Sequence, residues 1–419
     1  MLLAMQLMAQ SADAGVTIFD PAQPGRGIAY DTDNPGHLLN VPAARMSAWP
    51  DEPDHFLNWL GRQAGWRPEG GVTGRSFAPR RVYRAYLQGL LDPWPDRLRH
   101  IPQAVAEVAP DADGVALTTA AGESLRFDMA VLATGNGAGP LVAPEGLAYW
   151  ASPTGFDLPA AAPVAILGTG LSMVDSVIAL LDAGHRGPIT AISRHGLTPR
   201  AHATGAHAGS GPPPPPDLRL ATLAAWFRRV RREGRHDWRQ AMELLRPRTQ
   251  PIWLGFSDAE KRRFLRHARP WWDVHRHRLA PEVHARMQAA QADGRLRVVA
   301  GRLLEDRSAQ GEVTIRHRGS GRQEAIPARY LIDCRGQGGS GGMAHNPLLA
   351  GLVESGLAQE GFAGLGLAVA PDGAVIDAQG RASRRLYAVG PPTIGTLWEI
   401  IAIPDIRIQA RDLARVLVA

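Results

Sequence analysis

The stretch from Pro163 to Arg194 constrains this chain more than any other. Pro163 precedes the apolar run Val164-Ala165-Ile166-Leu167, and Gly168-Thr169-Gly170-Leu171-Ser172-Met173 follows, opening a helical pattern that runs to Leu181. Gly184 ends that pattern, and Ile189-Thr190-Ala191-Ile192-Ser193 reads as the next strand. A buried strand, a GxG turn and a helix of these lengths make a βαβ dinucleotide-binding unit. Gly168 permits the tight turn, and Gly170 lets the backbone approach a pyrophosphate at the helix N-terminus, with Ser172 in the same first turn. Met173 stands where the third fingerprint glycine is usual, so helix and strand must pack differently there. No acid follows the second strand; Arg194 does. A guanidinium at that point suits a 2′-phosphate and favours NADPH over NADH. The competing reading is a solvated surface arginine.

The amino terminus reads as half of a second such unit. Met1–Ala14 (MLLAMQLMAQSADA) has no basic lead and is interrupted by Gln6 and Gln10, so it is not read as a signal peptide. Leu2, Leu3, Met5, Leu7 and Met8 are the buried side of a short helix. Gly15 then turns the chain into Val16-Thr17-Ile18-Phe19, and Asp20 closes the run. In dinucleotide units such an acid lies about 20 residues beyond the Gly-rich turn and binds a ribose hydroxyl. Counted back from Asp20, that turn falls at or before Met1, so the first strand and its glycines are expected to be missing from this sequence. A bare βα pair without nucleotide is the alternative. Two similar segments, Ile101–Asn136 and Leu296–Gln337, read as small β-meanders returning to a buried strand: Met129–Leu132 before Ala133-Thr134-Gly135, and Tyr330–Ile332 before Asp333-Cys334-Arg335.

Composition narrows the rest. With 419 residues, 45% hydrophobic and 21% charged, the chain has the balance of a globular protein of two or three domains. Its single cysteine, Cys334, excludes a disulfide framework, a Cys-rich metal site and a Cys-x-x-Cys redox pair. One cysteine fits a reducing compartment, and a cytoplasmic protein is expected. The net charge of +6 is carried almost wholly by arginine, since Lys261 is the only lysine. The arginines are dispersed and lie beside no nucleic-acid reader motif, so no nucleic-acid partner is expected. No uncharged run is long enough to span a membrane. Trp271–Arg278 (WWDVHRHR) is read either as an amphipathic helix pinned by its tryptophans or as a wall facing an anionic or planar ligand. His275 and His277 lack a spaced third ligand, and no metal is expected. Pro212–Pro216, after Gly205–Gly211, reads as a surface spacer.

Five stretches carry a resemblance to a known family: GRGIAYDTDNPGHLLNVPAARMS (Gly25–Ser47), LATGN (Leu132–Asn136), VAILGTGLSMVDS (Val164–Ser176), RPWWDVHRHRLAPEV (Arg269–Val283) and LYAVGPPTIGTLWEIIAIPDIR (Leu386–Arg407). In these the chain resembles the FAD/NAD(P)-binding family that includes flavin-dependent urate hydroxylase and aspartate N-monooxygenase enzymes. The resemblance implies FAD across the first domain and the C-terminal segment, and NADPH on the inserted middle domain. It places Asp20 on the adenosine ribose and Gly25, Arg26 and Gly27 along the flavin's path. It brings Thr134 and Gly135 to FAD, and sets Gly390 at the end of a strand beside the ribityl chain. By the same resemblance Gly395-Thr396-Leu397 opens the final helix, from Trp398 onward, offering backbone N–H groups to the negative charge of a reduced flavin. Asn40 is the candidate for chemistry: in related monooxygenases an Asn-rich loop sits beside the flavin, where an amide can hold the oxygen adduct. Its alternative is a turn cap before Val41-Pro42.

The expected fold is therefore α/β, with two Rossmann-like dinucleotide-binding domains, each carrying a small β-meander, and the NAD(P) domain inserted in the FAD domain. The expected spans are 1–158 for the FAD domain, 159–337 for the NAD(P) domain with a helical and Pro-rich insertion at 200–290, and 338–419 for the rest of the FAD domain. The expected function is an FAD- and NADPH-dependent oxidoreductase, a monooxygenase hydroxylating a small polar molecule through a peroxyflavin. The alternatives are a non-hydroxylating NAD(P)H:flavin oxidoreductase or oxidase, and a nucleotide-binding protein without turnover.

Overall fold

A computed structural model of the chain describes residues 1–135, 147–148, 158–203, 213–233, 237–335 and 346–419. Its strands in chain order begin with β1 (Val16–Phe19), β2 (Leu98–Ile101), β3 (Val105–Pro110), β4 (Val115–Thr119), β5 (Ser124–Phe127) and β6 (Ala130–Leu132). Next come β7 (Leu147–Ala148), β8 (Val164–Leu167), β9 (Ile189–Ser193), β10 (Leu296–Arg307), β11 (Glu312–His317), β12 (Gln323–Pro327) and β13 (Tyr330–Asp333). β14 (Ala374–Ile376) and β15 (Ala382–Ala388) complete the set. The chain divides into two compact units, one of residues 1–35, 41–138 and 337–419, the other of residues 36–40 and 139–336.

The second unit is built on a seven-stranded sheet in the order β12-β11-β10-β9-β8-β13-β7. From β10 to β7 the ladders are parallel, with Val164 opposite Ile189 between β8 and β9 and opposite Tyr330 between β8 and β13. Every residue of β8 is buried, as an unbroken apolar run flanked by strands on both sides requires. Ala165, Leu167, Ile192, Val299, Ile315 and Leu331 share one core cluster. β10 runs on for 12 residues and pairs antiparallel with β11, and β11 with β12, so this meander extends the main sheet.

Helices fill most of the insertion: Leu220–Glu233, Trp238–Leu245, Thr249–Gly255, Asp258–Arg263, Arg269–Arg276 and Pro281–Ala292. Ser257 and Glu260 cap the fourth of these reciprocally. A π-turn, Phe264–Ala268, joins it to the fifth. In that fifth helix His275 meets Phe227 and Trp238 edge-on, at 5.6 and 4.7 Å between ring centres, and its Nδ1 lies 2.7 Å from the Trp271 carbonyl. These packing contacts match the amphipathic-helix reading, although Trp271 is 46% exposed. The Gly205–Gly211 segment and Pro212 lie outside the described residues. Among the described residues, no helix is long and apolar enough to cross a membrane.

The first unit contains three smaller sheets. β1 pairs with β2 in parallel, Val16 opposite Leu98; β6 pairs in parallel with β15, which pairs antiparallel with β14. β3, β4 and β5 form a separate antiparallel meander. Its third strand, Ser124–Phe127, has only Leu125 and Phe127 as apolar residues and gives too short an alternation to read from sequence. Val108, Val115, Leu117, Leu132, Leu367 and Leu386 share the core here, and Phe19 meets Phe127 edge-on at 5.7 Å. The Leu2–Gln10 helix buries Leu2, Leu3, Met5 and Met8, the apolar side expected of it.

One expected element begins elsewhere. The final helix spans Ile403–Leu417 and does not start at Trp398. Glu399 takes φ of +71°, which no right-handed helix allows, and Pro404 occupies the first turn, where its missing N–H has no partner to lose.

Candidate functional site

The turn after β8 separates two kinds of glycine. Gly168 has φ of +102°, and a Cβ there would lie 2.4 Å from the Cys334 carbonyl oxygen, so the neighbouring strand leaves room for hydrogen only. Gly170 has ordinary extended backbone, φ −83° and ψ −163°, and a Cβ there would meet nothing within 4 Å. The space over Gly170 is open to a ligand. Gly170 begins the Leu171–Asp182 helix, whose first turn has no side-chain cap. Its N–H groups and dipole are those of an anion site. The Ser172 hydroxyl, in that turn, makes no hydrogen bond to a described residue, while the Ser172 carbonyl accepts one from Ser176 Oγ at 3.0 Å. The Thr169 hydroxyl bonds Ser193 Oγ at 2.9 Å and the Leu197 carbonyl, tying the turn to the end of β9.

Beyond β9 the exposed Arg194 lines a pocket of about 670 Å³. Arg194 stands out in the sequence at the end of β9, whereas Arg318, which sits after β11, has no motif around it. Arg318 Nη1 donates to the Arg194 carbonyl at 3.1 Å and to His195 Nδ1 at 2.6 Å. Burial, with the charges of Arg318 and Arg194, lowers the His195 pKa below its ordinary value. The lowered pKa favours the neutral ring, which accepts the arginine's hydrogen bond.

Asn40 belongs to the same unit. Its carbonyl lies 3.0 Å from His202 Nε2, and its side-chain amide makes no hydrogen bond to a described residue. The turn-cap alternative requires such a bond. The loop is anchored by a residue not singled out from sequence: His37 is fully buried, and its Nε2 lies 2.9 Å from the Asp175 carbonyl on the Leu171–Asp182 helix.

The residues expected at FAD fall in the first unit. Asp20 follows β1 half-buried, and its Oδ1 accepts from the Ala22 N–H at 2.9 Å, which leaves Oδ2 for a hydroxyl. Arg26, between Gly25 (φ +87°) and Gly27 (φ +34°), pairs with Asp31 at 3.3 Å, yet its Nε is buried without a partner among the described residues. Thr134 Oγ1, just past β6, is also buried without a partner among the described residues, and the following Gly135 has φ of +64° with open space where a Cβ would stand. Gly390, two residues past β15, has φ of +73° and ψ of −146°, a region only glycine enters readily. Its N–H donates to Gln409 Oε1 at 2.7 Å, and its carbonyl accepts from Thr393 Oγ1 at 2.9 Å. The expectation for Gly395-Thr396-Leu397 is corrected. These residues open no helix, and the N–H groups of Thr396 and Leu397 both donate to the Thr393 carbonyl, at 3.1 and 2.8 Å. A Cβ on Gly395 would lie 2.2 Å from the Leu365 carbonyl oxygen, so packing demands a glycine here.

Cys334 closes β13 against the turn glycine. It is buried, its Sγ lies 3.4 Å from Ser176 Oγ, and burial pushes its thiol up to about 12. At pH 8 the thiolate fraction is then on the order of one in ten thousand. Native protein is expected to resist iodoacetamide under conditions that alkylate Cys334 fully in denaturant. Equal labelling of the native protein, read by mass spectrometry, would contradict this burial.

Residues 1–137 match the family model described as FAD-NAD(P)-binding. No curated protein matches the chain. Among solved structures, an L-lysine 6-monooxygenase from Pseudomonas syringae is 16% identical, with 99% of this chain and 96% of that chain covered and a TM-score of 0.65. An ornithine N-hydroxylase from Kutzneria sp. 744, with reduced FAD, NADP+ and L-ornithine, is 15% identical over 100% of this chain and 96% of that one, with a TM-score of 0.63. A bacillithiol disulfide reductase from Staphylococcus aureus is 12% identical over 100% and 94%, with a TM-score of 0.54. Residues 1–137 thus match an FAD-NAD(P)-binding model, and the chain as a whole has the two-domain α/β fold of these monooxygenase, hydroxylase and disulfide reductase structures.

Proposed function

We propose that the protein is an FAD- and NADPH-dependent oxidoreductase that acts as a monooxygenase on a small polar molecule. The observation that carries this reading is the uncapped helix opening at Gly170, one strand away from the arginine-lined pocket at Arg194. A pyrophosphate fits the first and a 2′-phosphate the second. The N–H groups of the first helical turn would hold the pyrophosphate, and the Ser172 hydroxyl is available to it. Arg194 and Arg318 would take the 2′-phosphate through charge-assisted bonds.

FAD fits the first unit on two counts. The orphaned Thr134 Oγ1 and Arg26 Nε are buried groups in need of an acceptor, and Gly27 and Gly135 leave open space beside them. Thr134 and Arg26 would donate to the bound group, and Asp20 Oδ2 would accept from its ribose. Bound FAD supplies the electron relay between NADPH and oxygen. Asn40 would donate its amide N–H to oxygen and keep it for the substrate, the role the sequence resemblance implies.

The structural relatives also include disulfide reductases. Dithiol chemistry needs two reactive cysteines, and this chain has one, buried and hard to ionise. Relatives named for hydroxylating ornithine and lysine favour the monooxygenase reading. The test is direct. NADPH should bleach the FAD-loaded protein anaerobically, and a panel of small amines and amino acids should yield a product 16 mass units heavier from ¹⁶O₂, 18 from ¹⁸O₂. Bleaching with no product from any of them, and stoichiometric hydrogen peroxide, would establish the oxidase alternative.

Arg194 carries a separate prediction. Arg194→Ala is expected to weaken NADPH by about tenfold, the loss of one charge-assisted contact of about 1.5 kcal/mol, and to leave NADH nearly unchanged. Equal weakening of both nucleotides in a calorimetric titration would remove Arg194 from the 2′-phosphate site.

A further inference from the structure

The pocket beside Arg194 holds far more positive charge than one phosphate needs. Arg194, Arg266, Arg302, Arg316 and Arg318 line it, and no carboxylate lines it among the described residues. None of these five arginines is ion-paired with a described carboxylate, although most other arginines of this unit are. A phosphomonoester carries about −1.5 to −2 at neutral pH, so Arg194 and Arg318 alone would balance it. Three guanidiniums remain.

Their placement is the stronger observation. Arg302 on β10 and Arg316 on β11 are directly opposite partners in an antiparallel ladder. Like charges so placed repel and destabilise the pair of strands, unless an anion lies between or above them. Gly301, the preceding residue, lets the strands close: a Cβ there would lie 2.8 Å from the Arg316 carbonyl oxygen. Arg266 comes from the π-turn Phe264–Ala268, an irregularity that inserts one extra residue into a helical run and is frequent where a helix serves a site. The volume, about 670 Å³, is that of a site for a whole small molecule and not for one phosphoryl group.

We propose that this pocket binds a small polyanion carrying two or more linked phosphoryl groups, held by Arg302, Arg316 and Arg266, and that it overlaps the 2′-phosphate position at Arg194 and Arg318. Such a ligand excludes NADPH and leaves NADH, which has no 2′-phosphate, free to bind. The exclusion rests on the NADPH reading above; the anion binding does not.

Inorganic tripolyphosphate and orthophosphate, titrated calorimetrically into the full chain at matched ionic strength, test the proposal. Tripolyphosphate is expected to bind at least about tenfold tighter, and Arg302→Gln/Arg316→Gln to lose about tenfold or more of that affinity. Arg302→Lys/Arg316→Lys, which keeps the charge, should retain most of it, and this pair separates loss of charge from loss of fold. Tripolyphosphate should also displace NADPH but not NADH. Equal affinity for the two phosphates, or indifference to the Gln pair, overturns the site. Tight tripolyphosphate binding without displacement of NADPH overturns the overlap. If the chain binds tripolyphosphate but no NADPH at all, the anion site stands and the NADPH reading fails.

Discussion

Gly168→Ala is expected to lower the melting temperature of the second unit by roughly 10 °C. Two independent costs arise at this position. The backbone sits at φ of +102°, where an L side chain is strained, and the new methyl group would lie 2.4 Å from the Cys334 carbonyl oxygen. Positive-φ strain and overpacking each cost about 1–3 kcal/mol, so a combined loss of about 3–5 kcal/mol is expected. In a unit of this size each kcal/mol moves the midpoint by about 2–4 °C. Gly170→Ala makes the contrast. Its backbone is ordinary and its surroundings empty, so melting should hardly change, while a methyl group in the space proposed for the pyrophosphate should weaken NADPH by about tenfold. Thermal melting and nucleotide titration of the two variants separate the glycine that shapes the turn from the one that faces the ligand. Similar melting loss in both would mean that the turn, and not a ligand, requires Gly170.

The difference between these glycines also shows what was legible in the sequence. Val164–Leu167, the GxG turn and Ile189–Ser193 are local signals, each set by neighbours in the chain, and all three stand in the structure where they read. Gly395 is equally visible, but the contact that demands glycine there, with Leu365, is distant in sequence and forms only after folding. The final helix was misplaced for a related reason. The start at Trp398 comes from the family resemblance, and the left-handed backbone of Glu399, which no single residue announces, shows that no helix runs there. Arg302, Arg316 and Arg318 lie on strands and a hairpin turn with no motif; their facing register comes from a pairing between β10 and β11 that single residues do not announce. His37 was hidden likewise, since its partner is a backbone carbonyl more than a hundred residues away.

Asn40→Ala is expected to leave the rate of flavin reduction by NADPH within about twofold of wild type and to raise hydrogen peroxide release per NADPH consumed by about tenfold. The amide has no hydrogen-bond partner among the described residues, while the backbone carbonyl of Asn40 is within bonding distance of His202 Nε2. Removing the side chain therefore leaves the loop's anchors at His202 and His37 in place. What it removes is one donor, worth about 1 kcal/mol to a neutral acceptor and about 1.5 kcal/mol or more to a charged one. That difference acts only after NADPH has delivered its hydride, at the point where oxygen either reaches the substrate or leaves as peroxide. Asn40→Asp keeps the shape and loses the N–H donors, so it should uncouple at least as much. If instead both variants slow flavin reduction and peroxide release in step, Asn40 orders the loop and takes no part in holding oxygen. If Asn40→Asp behaves as wild type, the N–H is not the group that matters, and the assignment of Asn40 to the oxygen step falls.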